Sequence, residues 1–205
     1  MSKYPNMLGR LEALINKLGG EGGVDLLLAG KLVLVNPASK KGKAVVDSLF
    51  TFAGSFKTVG TEEFVAAKNY VIDTSERARV RISWLGGNFK TYLLPKIEHN
   101  IAASDLKLQT LRRSSIDLPK NAEEPGTIAG LGGLEKAETS LYEFFETLAH
   151  KQATQDFTWL IGYVRDDNNV LWAVSAHWYG GGWGVEAYSL RLPFGWRAGR
   201  EFVSR

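Results

Sequence analysis

Residues 157–190, FTWLIGYVRDDNNVLWAVSAHWYGGGWGVEAYSL, decide how this chain is read. Within them Trp172, Val174, Ala176 and Trp178 share one face of a strand, and Leu171, Ala173, Ser175 and His177 share the other. Both sets are largely apolar, which predicts a central strand covered on both sides. The flanking stretches 158–164 and 183–190 also read as strands. Between them, Arg165 to Asn169 and Tyr179 to Gly182 supply turn residues. With 199–204 added, the spacing predicts an antiparallel meander of three or four strands.

Upstream, Leu134, Ala137, Leu141, Phe144, Phe145 and Leu148 follow the helical period, so one helix with a strongly apolar side is expected to pack on the meander. Residues 114–130 are rich in Ser, Pro, Gly and acids, with Pro119 and Pro125 opposing regular structure. Further back, the periodicity predicts a helix over 4–18, an apolar piece at 24–29 and a strand at 31–35, followed by Lys40, Lys41 and Lys43. Thr61 is placed to cap a short helix through 62–65. A strand is expected at 77–84, a helical turn at 89–94 and another strand at 106–113. The resulting fold class is α+β: a mixed α/β portion over 1–118, a linker or long loop at 119–130, and a helix plus antiparallel meander over 131–205. The two parts are free to share one core.

The chain has 205 residues, 44% of them hydrophobic and 23% charged, which excludes disorder over most of its length. No window is apolar enough for a membrane helix, and Met1 to Pro5 lack the apolar run of a signal peptide. There are no cysteines, so disulfides, thiol nucleophiles and thiolate metal sites are excluded, in keeping with a cytoplasmic location. A net charge of +3 is a mild tilt toward anionic partners.

Two surfaces carry candidate chemistry. On a strand at 77–84, Arg77, Arg79 and Arg81 form one row opposite Ala78, Val80, Ile82 and Trp84. Residues two apart on a strand lie about 6 to 7 Å apart, near the phosphate spacing of a nucleic acid. Arg112 and Arg113 extend the row if they reach the same surface. The plainer reading is a solvated sheet face whose charge discourages edge pairing. Around the triple glycine, Trp178, Tyr179 and Trp183 offer a stacking platform for a base or sugar. A loop stapled by its own aromatics accounts for them equally well.

Other signals are weaker. The loop Arg165 to Asn169 lacks the acid spacing of a calcium loop and reads as a polar hairpin turn. Gly130 to Gly133 precede a helix, yet Glu135 breaks the dinucleotide fingerprint. His99, His150 and His177 show no metal-ligand spacing, so neither metal nor cofactor is expected. A turn at 180–182 places His177 opposite 185 or 186, where Glu186 completes an acid/base or structural pair.

The segments 81–90, 131–141 and 196–205 resemble stretches of small uncharacterised bacterial proteins. They contain no catalytic signature, and that resemblance implies no activity. The reading favoured by the residues is a non-catalytic binding module that contacts nucleic acid. Its rivals are a protein-interaction or self-association module using the aromatic cluster, and an enzyme centred on His177 and Glu186.

Overall fold

In the computed structural model of the protein, the described residues are 48–118, 126–190 and 195–205. Contacts divide the chain between Val46 and Asp47, and all described residues belong to the second unit. The elements expected at 4–18, 24–29 and 31–35, the lysines at 40–43 and residues 119–125 of the expected linker lie outside the described residues.

The first half contributes β1 (Phe50–Lys57), β2 (Thr61–Val65), α1 (Ala66–Asn69), β3 (Ile82–Leu85), a π-helical turn (Phe89–Leu93), β4 (Ile97–Ile101), β5 (Asp105–Leu111) and β6 (Ser115–Ile116). The second contributes α2 (Thr127–Gly130), α3 (Leu134–Ala137), α4 (Leu141–Ala153), β7 (Leu160–Arg165), β8 (Leu171–Tyr179), β9 (Gly182–Ser189), β10 (Gly195–Trp196) and β11 (Glu201–Ser204).

This arrangement corrects the expected α+β class. Strands take 42% of the described residues against 22% for helices, and one large sheet of seven strands runs β1-β5-β11-β7-β8-β9-β3. Only β7, β8 and β9 form the expected meander. β11 does not follow β9; it lies parallel to β7 and antiparallel to β5. All four of its residues are buried, so it needs partners on both edges and cover on both faces. β3 closes the far side, parallel to β9. Alternation tells which face a side chain takes, not which strand lies alongside.

Three local expectations also change. Thr61 starts a strand: β2 pairs with β4, and the Thr61 hydroxyl donates to the carbonyl of Glu63 instead of capping a helix. Residues 77–81 are not a strand. Asp73 and Ile82 exchange two backbone hydrogen bonds, and Ser75 N–H donates to the Asp73 carboxylate, closing 74–81 into a loop. The single helix expected from 134 breaks into α3 and α4, because Thr139 N–H donates to the Tyr163 carbonyl and Ser140 then starts a new helix. Ser140 accepts from Glu143 N–H while the Glu143 carboxylate accepts from Ser140 N–H, a reciprocal capping box.

α4 covers one face of the sheet. Phe144 packs where Gly162 leaves no side chain, and Phe145 meets Phe64 and Tyr70. On the opposite face Ile128, Leu131, Ala137 and Trp196 close over Ile161, Tyr163, Ala173 and Phe202. Beneath that cover Asp117 is buried, its Oδ1 accepting from the Tyr163 and Thr127 hydroxyls and the Trp196 indole. Among the described residues its Oδ2 has no donor, and burial pushes its pKa up. Among the described residues this cover stops partway along the sheet.

Candidate binding face

Beyond the described cover, that second face carries a row of flat side chains running across the strands. Register builds it. His177 on β8 lies opposite Gly184 on β9, and Gly184 lies beside Trp84 on β3. The antiparallel pairing of Leu160 with Ala176 puts Trp159 next to His177, their rings 4.9 Å apart. Glu201 N–H donates to the Trp159 carbonyl, which brings Arg200 alongside, its guanidinium carbon 3.1 Å from the Trp159 ring centroid. Trp84, His177, Trp159 and Arg200 therefore span five strands, about 19 Å at the usual strand spacing.

Gly184 makes the row continuous. A Cβ there would meet His177 at 3.3 Å and Trp84 at 3.6 Å, so both rings close over the glycine. Trp84 is 45% exposed and Tyr179, on the same face at the hairpin tip, is 73% exposed. Gly180 and Gly181, both at positive φ, form the two-residue turn that holds the tip. Burial, and after it the charge of Arg200, lower the pKa of His177, which keeps its ring neutral near pH 7.

Trp84 was expected in the buried set of its strand. Two residues on β3, from Ile82 to Trp84, pass one step on β9, from Trp183 to Gly184. This bulge at Ser83 keeps Ile82 inward and turns Trp84 outward.

The expected site residues separate. Arg77 is exposed on the 74–81 loop. Arg79 pairs with Glu146 at 2.7 Å and lies over Phe145, and Arg81 lies over Trp178 at 4.9 Å. Arg79 and Arg81 line a cleft of about 330 Å³ with Glu76, Ala149, Gln152 and Ala153. Arg112 and Arg113 follow β5, five strand positions from β3 and so about 24 Å away. Trp183 is fully buried under Phe157 and Trp178, while Tyr179 points to the opposite face. Arg81, Trp178 and Trp183 thus meet, Trp183 N–H donating to the Arg81 carbonyl and its ring packing edge-on against Trp178, while Tyr179 does not join them.

His177 and Glu186 are not opposite each other. The turn has two residues, not three, so Glu186 pairs with Ser175. Among the described residues no three His, Asp or Glu side chains converge as metal ligands, and no helix is long and apolar enough to cross a membrane.

Neither Trp159 nor Arg200 stands out in the sequence. The signal for Trp159 lay in turn arithmetic: a hairpin closing at Arg165 and Leu171 brings it opposite His177. Arg200 had none, because it depends on β11 leaving the meander. Comparison with family models, with curated proteins and with solved structures finds no match for this chain.

Proposed function

We propose that this protein is a non-catalytic binding module whose ligand, single-stranded nucleic acid, lies across Trp84, His177, Trp159 and Arg200. The observation that carries the reading is the exposed Trp84 ring at one end of a continuous row that ends in a guanidinium. Stacking on aromatic planes is tolerant of base identity, and arginine supplies both a plane and a phosphate contact. A neutral His177 suits stacking within the row. The reading retains the cytoplasmic location expected from the cysteine-free composition.

The test is anisotropy titration with short single-stranded DNA and RNA across a salt series. Binding should weaken with salt, and Trp84→Ala should cost about 1–3 kcal/mol for the base it stacks. Lack of binding at low salt, or affinity unchanged in both Trp84→Ala and Arg200→Ala, overturns the reading.

A second reading, a protein partner or another copy of the chain on the same face, is favoured by the exposure of Phe52, which shares that face with Trp84 and Tyr179. Sedimentation velocity over a concentration series tests self-association.

A further inference from the structure

Next to the aromatic row stands a carboxylate that stacking does not explain. Glu186 lies on β9 two residues beyond Gly184 and on the same face. Its carboxylate leans over Gly86, where any Cβ would overlap both oxygens. Gly86 N–H donates to the Val185 carbonyl at 2.8 Å, so the backbone under the carboxylate is pinned to β9. Oε1 accepts from Ala187 N–H at 2.8 Å, and among the described residues no donor reaches Oε2. Glu186 is half-buried, which leaves Oε2 as a fixed acceptor beside Trp84, the residue two before Gly86.

A negative charge there is hostile to phosphate and suited to an N–H. On a strip that binds nucleic acid, it favours strands lying with bases inward and backbone outward. We infer that Glu186 reads the edge of the base stacked on Trp84, selecting bases with an amino group over thymine and uracil. This rests on the nucleic-acid reading of the strip. Among pyrimidines the discrimination is sharpest. Cytosine offers its N4 amino group to a carboxylate. Thymine and uracil have one edge donor, N3–H, flanked by two carbonyl oxygens that a carboxylate repels.

The two pyrimidines are similar in size, so comparing them isolates the edge. Equal-length oligo(dC) and oligo(dT) are titrated against the protein, Glu186→Gln and Gly86→Ala at low and moderate salt. The expected result is about tenfold tighter binding of oligo(dC) by the unaltered protein. Glu186→Gln should bring the ratio to unity or below, because its carboxamide N–H can donate to thymine O4. Gly86→Ala, which displaces the carboxylate, should move the ratio the same way. If both oligomers bind but equally, or if the preference survives Glu186→Gln, the role of Glu186 is overturned and the strip stands. If neither binds at low salt, the strip reading fails and this inference with it.

Discussion

The guanidinium of Arg200 sits over the Trp159 indole, 3.1 Å from carbon to ring centroid, and Trp159 rests against His177. Burial first and Arg200 second lower the His177 pKa. Between that lowered value and the unfolded value of about 6.5, the unfolded chain holds more protons than the folded one. This histidine therefore makes the fold less stable as pH falls below the ordinary histidine range. Arg200→Gln should raise the His177 pKa, followed as an imidazole proton shift by NMR. An unmoved titration would break the link between the two.

Asp117 is a carboxyl group buried among neutral donors. Asp117→Ala removes the shared acceptor of the Tyr163 and Thr127 hydroxyls and the Trp196 indole, leaving the two buried hydroxyls to each other, at a cost on the order of 3 kcal/mol or more. Asp117→Asn keeps the accepting oxygen and should cost much less. Because the folded pKa is raised, the contribution of Asp117 is full below the unfolded carboxyl value and lost as pH rises through the folded one. Urea unfolding as a function of pH checks both points, and the Asn variant should lose that part of the pH dependence.

Gly162 is the floor on which α4 rests. A Cβ there would lie 2.6 Å from Phe144 Cδ2, so Gly162→Ala should destabilise by about 1–3 kcal/mol. Adding Phe144→Leu to that variant should return part of the loss, and strictly additive costs would show that the two do not meet.

Ser140→Ala removes half of the α4 capping box and should cost about 1 kcal/mol in thermal unfolding. Glu143 is also held by Arg205 and by the Ser104 hydroxyl, so Glu143→Ala should cost more than the serine change. Equal losses would argue that Glu143 acts only through the cap.

How much of this was legible can be seen residue by residue. The β7, β8 and β9 hairpins were readable because alternation and turn residues are local signals. The capping box was readable too, from Ser140 and Glu143 three apart, and it marks the break that helical periodicity alone runs through. The arginine alternation at 77–81 misled, since Asp73 and Ser75 turn the chain before a strand can form. The position of β11 depends on partners nearly a hundred residues away in sequence, as in Val203 beside Leu108. No short-range pattern encodes that. The strip inherits the same limit: its two ends, Trp84 and Arg200, come from a bulge and from a long-range pairing.

Among the described strands, β11 alone pairs with both β5 and β7. Among the described strands no other lies between the β1-β5 ribbon and the later hairpins, so during synthesis these two blocks wait for residues 201–204 to leave the ribosome. Each block meanwhile carries an open edge at the seam, exposed to other chains until β11 takes its place. Completion of the seven-stranded sheet thus waits on four residues, and a ribosome stalled before residue 201 holds the β1-β5 ribbon and the β7-β8-β9 hairpins without the strand that lies between them.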